Sequence, residues 1–481
     1  MPNGSGAGVR AAIVAQERGK AARAKGGRKA NDVRNTPHEA QPAAVPLKAI
    51  QAGEKDGTWP EWLTADSRAV WTSRMLATLE RGPKGGKWYS LIDKAWDPST
   101  LTVAAWSVIR NGGAAGVDHR TTEQLEEELR EEVELLSRRL REGTYQPQAV
   151  KRVWIEKPGS TEKRPLGIPV VRDRVVQGAI KAVIEPIFES GFAEHSYGFR
   201  PGRGAVKAVE RVENLLAAGY HWVVDADLKG YFDSIPQERL MARIEEKISD
   251  GRLLGLIEAF LKQGVMESGK GWQPTERGTP QGAVLSPLLA NIYLNPLDHE
   301  MARAGIEMIR YADDFILLCR SEEAAKDALE RVRHWVEEAG LVLHPAKTRL
   351  VDAREAGGFE FLGWHFERGH RWPREKSQAR LKESLREQTR RNSGLSLESI
   401  IAGVNRRLKG WAGYFRGGVL WPKVRLDQWL RMRLRSVMRR RCRRKGRGRG
   451  RDHQRYTNAF FVERGLISLE ALARAERASP A

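Results

Sequence analysis

Apolar residues along this chain recur with two periods, and stretches of each alternate. Over residues 122–141 they fall at Leu125, Leu129, Val133, Leu136 and Leu140, the spacing of one face of a helix. Glu clusters early in that stretch and Arg late, matching the macrodipole, and Gly143 supplies a stop. The pattern predicts one continuous helix over 122–141. Short runs rich in β-branched and aromatic residues follow at 149–155, 222–227, 308–310 and 315–318, interleaved with helical stretches such as 322–339. The expected fold class is therefore mixed α/β (α+β). After Trp372 the strand pattern ends, and 378–389 and 426–444 read as Arg-rich helices. Residues 1–58 hold few large apolar side chains and cannot bury enough surface to offset the entropy of ordering, so they read as a basic, disordered extension. A transit peptide is the alternative, and Glu17, Asp32 and Glu39 count against it.

Charge changes this picture at one end. The net charge is +21, and the 90 residues from Arg371 to Phe460 carry 27 Lys and Arg against 6 Asp and Glu, the whole of the excess. A neutral body joined to a cationic segment is the electrostatic footprint of a protein that holds a polyphosphate backbone. Cys319 and Cys442 are the only cysteines, which excludes a disulfide framework or a Cys-based zinc site and fits a reducing compartment. No apolar run approaches the roughly 20 residues needed to span a bilayer. A soluble, cytoplasmic protein with no membrane partner is expected.

Candidate chemistry lies in the strand-rich body. Met308, Ile309 and Arg310 lead through Tyr311 and Ala312 into Asp313 and Asp314, after which Phe315–Leu318 continue as an apolar run. This reads as a hairpin with two acids at its turn. Carboxylates flanked by apolar strands are costly unless their charge is compensated, and a divalent cation does so. A second strand, 222–227, also ends in acid at Asp227. If the two pair, three carboxylates converge, as a two-metal site with ions about 4 Å apart requires. An isolated Asp-Asp is usually a solvated turn; here further elements stand around it. At 278–294 the chain reads G-T-P-Q-G-A-V-L-S-P-L-L-A-N-I-Y-L, a glycine-bearing turn opening an apolar helix, and Lys157, Lys163 and Arg164 place cations beside a turn at Pro165–Pro169. Cations and backbone amides at such turns suit phosphate oxygens.

These segments resemble the reverse transcriptases encoded by group II introns, from about Trp59 onward. The resemblance is carried by R-P-L-G-I-P at 164–169, S-Y-G-F-R-P-G-R at 196–203, D-A-D-L-K-G-Y-F-D-S-I at 225–235, G-T-P-Q-G at 278–282, Y-A-D-D at 311–314, H-P-A-K-T at 344–348 and F-L-G-W at 361–364. It implies a right-hand polymerase: fingers and palm over 59–370, a helical thumb and maturase region over 371–455, and a short segment over 456–481. It implies Asp227, Asp313 and Asp314 as catalytic ligands of two Mg²⁺ ions. Asp225 shares a strand face with Asp227, and Asp227 is preferred because Phe232 stands five residues on. Phe232 would be the steric gate against a ribose 2′-hydroxyl, or else simply a core ring. Lys157 and Arg164 would hold the triphosphate, Gln281 would contact the incoming nucleotide, and Lys347 would lie near primer or triphosphate.

By the same resemblance the C-terminal region binds intron RNA and assists splicing. Nine of the thirteen residues 439–451 are basic, and the expected RNA contacts are Arg406, Arg407, Lys409, Arg439, Arg440, Arg441, Arg443, Arg444 and Lys445. Trp411, Tyr414, Phe415, Trp421 and Trp429 interleave with these cations, some packing the thumb helices. The implied partners are group II intron RNA, an RNA template, a DNA primer and dNTPs, with nucleoid association on DNA. No Cys pairs of the kind that mark the endonuclease domain of many relatives are present, so none is expected. The alternatives are a domesticated or defence-associated reverse transcriptase, an RNA-binding splicing cofactor without polymerase activity, and an RNA-dependent RNA polymerase, which Phe232 disfavours.

Overall fold

The structure is a computed structural model that describes residues 70–83, 85–156 and 163–478; the expected basic extension 1–58 and Lys157 lie outside the described residues. Among these, the strands are β1 (Val150–Glu156), β2 (Lys163–Ile168), β3 (Trp222–Asp227), β4 (Val265–Glu267), β5 (Gly271–Gln273), β6 (Glu307–Tyr311), β7 (Asp314–Cys319), β8 (Arg349–Asp352), β9 (Phe359–Phe361), β10 (Trp364–Glu367) and β11 (His370–Pro373). They form three sheets ordered β2-β1-β4-β5, β6-β7-β3-β8 and β11-β10-β9. The helices that position the site are α1 (Val171–Glu189), α2 (Ala205–Ala217), α3 (Ser286–Arg303) and α4 (Glu322–Glu338).

The central sheet β6-β7-β3-β8 is antiparallel throughout, and the period-2 alternation of its strands sorts two apolar faces. Val224, Ala226, Met308, Phe315 and Leu317 point into a core shared with α1, α3 and α4. Val223, Ile309, Ile316 and Leu318 point to the opposite face, where Ala208, Val209, Val212 and Leu215 of α2 and the aromatic strands β9 and β10 cover them. A third core belongs to the C-terminal helices α5 (Glu375–Gln388), α6 (Leu397–Tyr414), α7 (Trp421–Arg441) and α8 (Leu469–Ala478) and is lined by Leu385, Ile400, Val404, Leu430, Leu434 and Phe461. No helix among the described residues is long and apolar enough to cross a membrane.

The helix expected over 122–141 is two helices, Thr122–Glu127 and Leu129–Glu142. They meet at Glu128, whose backbone (φ −107°, ψ 20°) leaves helical geometry while its carboxylate pairs with the Arg120 guanidinium, which also reaches Glu132 at 3.0 Å. Apolar spacing tolerates that break because each half still buries its own stripe. Leu125 lies on one side, and Val133, Leu136 and Leu140 on the other.

One charged side chain sits at the centre of this architecture. Arg310 on β6 is fully buried, and its Nε and Nη2 donate to the Asp298 carboxylate of α3 at 2.7 and 2.5 Å. Its Nη1 donates to Asn291 Oδ1 and to the Ala312 carbonyl, each at 2.9 Å, and Nη2 also donates to Ser196 Oγ at 2.8 Å. A guanidinium has five N–H groups, and these contacts engage all five. Arg310→Ala leaves Asp298 as an uncompensated buried charge, and the expected loss is about 3–5 kcal/mol. Urea denaturation should show it as a lower midpoint at unchanged slope; a midpoint matching the wild type would mean that the cluster contributes nothing to stability.

Candidate active site

The register of the central sheet brings acids together. β3 and β7 pair antiparallel with Asp227 directly opposite Asp314 and Asp225 opposite Ile316, so Asp225, Asp227 and Asp314 share one face. Asp313 lies in the two-residue turn between β6 and β7, where Ala312 has φ 60° and Asp313 does not have positive φ. Positive φ at only the first loop residue is the type II′ pattern, which suits the right-handed twist of a hairpin. Arg310 holds this turn from beneath through the Ala312 carbonyl.

Burial and repulsion from neighbouring carboxylates make Asp314, Asp313 and Asp225 reluctant to ionise. Burial pushes Asp314 up to about 7, helped by the charges of Asp225, Asp313 and Asp227 and opposed by Arg374. Asp313 is raised by burial and then by Asp227, with its own backbone amide, Lys347 and Arg310 opposing. Asp225 is raised chiefly by burial, against the hydrogen bond from Arg349. The chain's own cations answer part of this charge: Lys347 Nζ lies 2.5 Å from Asp227 Oδ2, and Arg349 Nε lies 3.0 Å from Asp225 Oδ2. As arranged, no group of three or more His, Cys, Asp or Glu among the described residues stands in a metal-holding cluster. The donor set is nonetheless all carboxylate oxygen, the hard ligand type that Mg²⁺ takes, and it carries more negative charge than its cationic neighbours neutralise.

Of the other predicted residues, Arg164, Gln281 and Phe232 lie on segments joined to one another by main-chain bonds and Lys347 reaches Asp227, whereas Lys157 lies outside the described residues. Arg164 is half-buried on β2 opposite Ile155. That strand is bonded to the G-T-P-Q-G turn, since Gly167 N donates to the Gln281 carbonyl at 2.7 Å. A Cβ at Gly282 (φ 115°) would strike the Gly167 carbonyl, so only glycine permits this approach. The same turn reaches Phe232: Thr279 N donates to the Phe232 carbonyl at 2.7 Å, and the half-buried ring packs on the main core. Lys347 is aimed by its motif. His344 N donates to the Asp227 carbonyl at 2.7 Å, and the His344 carbonyl accepts from Lys347 N and Thr348 N, each at 3.1 Å. This turn delivers Lys347 to Asp227.

The expected RNA contacts divide into two sets. Arg406, Lys409, Arg440, Arg443, Arg444 and Lys445 are exposed. Arg441 is exposed too, and its guanidinium donates to the Leu395 carbonyl. Arg407 and Arg439 tie the fold together: Arg407 Nε donates to Ser384 Oγ at 2.6 Å, and Arg439 donates to the Lys445 carbonyl at 2.8 Å and to Asp452 at 2.6 Å. One further residue of the site gave no signal in the sequence: Arg349 meets Asp225 only through the β3–β8 register. His344, the first residue of H-P-A-K-T, buries an Nδ1 that has no hydrogen-bond partner.

Residues 155–366 match the reverse transcriptase (RNA-dependent DNA polymerase) family, and residues 378–457 match the group II intron maturase-specific domain. Protein YkfC of Escherichia coli (strain K12) is 32% identical over 68% of this chain and 95% of its own length. The group II intron-encoded protein LtrA of Lactococcus lactis subsp. cremoris is 40% identical over 42% of this chain, a match spanning 33% of LtrA. Among solved structures, telomerase from Candida albicans aligns over 78% of this chain and 73% of its own at 11% identity and a TM-score of 0.38, too loose a likeness to carry argument. With a polymerase domain and a maturase domain in that order, and a relative matched over nearly its whole length, the chain belongs to the reverse transcriptases encoded by group II introns.

Proposed function

We propose that Asp227, Asp313 and Asp314 hold two Mg²⁺ ions and carry nucleotidyl transfer from dNTPs to a DNA primer on an RNA template. The observation that supports this reading most is the β3–β7 register, which sets Asp227 against Asp314 beside the Asp313 turn and leaves an excess of carboxylate charge. Bound there, divalent ions would lower the pKa of the primer 3′-hydroxyl and offset charge developing on the leaving pyrophosphate. The chain's own residues orient the reactants. Lys157 and Arg164 from residues 59–370, the fingers and palm, hold the triphosphate, and Gln281 contacts the nucleotide. Phe232 fills the space of a 2′-hydroxyl. Lys347 is the countercharge that neutralises Asp227 when no cation is bound. Residues 371–455 form a thumb and maturase region that binds group II intron RNA through the exposed cations of α7 and the segment after it.

Asp313→Asn is expected to lower kcat for primer extension by about a thousandfold, the scale of losing one preorganised electrostatic element, while RNA binding persists. Mg²⁺ should raise the melting temperature of the wild type, since a ligand of the native state stabilises it, and should not raise that of the variant. Extension at wild-type rate by Asp313→Asn would remove the assignment. Phe232→Ala should increase ribonucleotide incorporation by roughly tenfold or more, because a shape-based pocket rejects an added hydroxyl on about that scale; steady-state kinetics with matched dNTP and NTP would show no change if the ring is only core. Replacing Arg440, Arg443, Arg444 and Lys445 with Gln should flatten the plot of log K against log salt for RNA binding by up to about 3, near 0.7 per phosphate contact. An unmoved slope would put the RNA elsewhere.

A further inference from the structure

The segment S-Y-G-F-R-P-G-R at 196–203 has no role in the chemistry above, yet the structure fastens it to the acidic hairpin. Tyr197 N donates to the Arg310 carbonyl at 2.8 Å, and buried Ser196 accepts from the Arg310 guanidinium at 2.8 Å. The Gly198 carbonyl accepts from Asn291 Nδ2 at 2.8 Å. A Cβ at Gly198 would fall on the Ala312 amide, so the loop lies directly against the turn. On the other side, buried Arg200 donates to Glu189 and to the carbonyls of Ala193 and Ser196 at 2.6 and 2.8 Å.

Both neighbours of Phe199 are thus immobilised, and Phe199 between them adopts φ 55°. A bulky side chain rarely takes that left-handed conformation. Burial does not offset the cost: the ring is 39% exposed, and it belongs to none of the three cores. It stands 6.0 Å from the ring of Tyr311, the residue paired with Asp314. An over-determined loop that presents a strained, exposed aromatic beside reactive groups is the arrangement in which backbone strain serves function.

We infer that Phe199 contacts the nucleotide at the growing end of the primer–template duplex, the face of its ring lying against the terminal base or sugar. This rests on the polymerase reading above. Every base has a π-face, so stacking on an aromatic ring holds a terminus without regard to sequence, which a polymerase requires.

Phe199→Gly separates the two possible reasons for the ring, because it removes the contact and the left-handed strain together. Its melting temperature should equal or exceed that of the wild type. Its KM for primer–template should rise about tenfold, the scale of losing one base–aromatic stack, with kcat at saturating duplex little changed. Phe199→Trp should keep the wild-type KM. With 2-aminopurine at the primer 3′ terminus or at the templating position, the wild type should alter fluorescence in one strand and Phe199→Gly should lose that change, which identifies the strand touched. Wild-type KM in Phe199→Gly, or a fall in melting temperature that accounts for its lost activity, overturns the inference while leaving the polymerase reading intact. Failure of the wild type to extend a primer on RNA overturns both.

Discussion

The acidic site depends on a guanidinium that never reaches solvent. Arg310 joins α3, the 196–203 loop and the carbonyl of the hairpin turn through one planar group, with Asp298 as its counter-ion. Placing an ion pair in the core costs desolvation that Coulomb attraction alone need not recover. What the pair supplies is geometry. Five donors of fixed direction permit one placement of the Ala312 carbonyl, hence one placement of Asp313, and a set of apolar side chains of equal volume would not impose it. The buried positive charge also lies under the acids, opposing the upward shift of Asp313.

Above that clamp the electrostatics are left incomplete. Lys347 answers Asp227 and Arg349 answers Asp225, but Asp314 faces three other carboxylates, with the Arg374 guanidinium opposing their effect. Salt bridges at half-exposed positions are worth little, about 0–1 kcal/mol each, so the two lysine and arginine contacts are weak enough to yield to a stronger cation. A core built for stability alone would place apolar residues at the end of β7, as it does along the rest of that strand, where Phe315 to Leu318 are buried.

Much of this was legible in the chain, and what was not has a common cause. The strands β3, β6 and β7 follow from runs of apolar and β-branched residues, and the hairpin follows from the acids that interrupt them. Register does not follow. That Asp227 faces Asp314, and that Arg349 faces Asp225, depends on pairings between residues far apart in sequence, which local periodicity does not encode. The break at Glu128 escaped for a related reason, since it leaves the apolar spacing untouched, and its pairing with Arg120 is a contact of the fold. Among the basic residues near the C-terminus, composition could not tell Arg439, held by Asp452, from its exposed neighbour Arg440. Charge counts describe a segment, whereas the partner of each guanidinium is a property of the fold.

The same distinction between backbone and side chain bears on how selectivity and catalysis are kept apart. Phe232 is fixed to the G-T-P-Q-G turn by its carbonyl, not by its ring, and that turn is fixed to β2 by the carbonyl of Gln281. Main-chain bonds therefore run from Arg164's strand through Gln281 and Thr279 to Phe232, five residues from Asp227 along the chain. Because this path uses no side chain of Phe232, the ring can change size without disturbing the acids, and the shape of the nucleotide pocket can vary while the β3–β7 register holds. Arg310 allows no such freedom. Its side chain is itself the connection, so any substitution there changes the turn that carries Asp313, and the two positions should tolerate change very differently although each contributes one residue to the same end of the sheet.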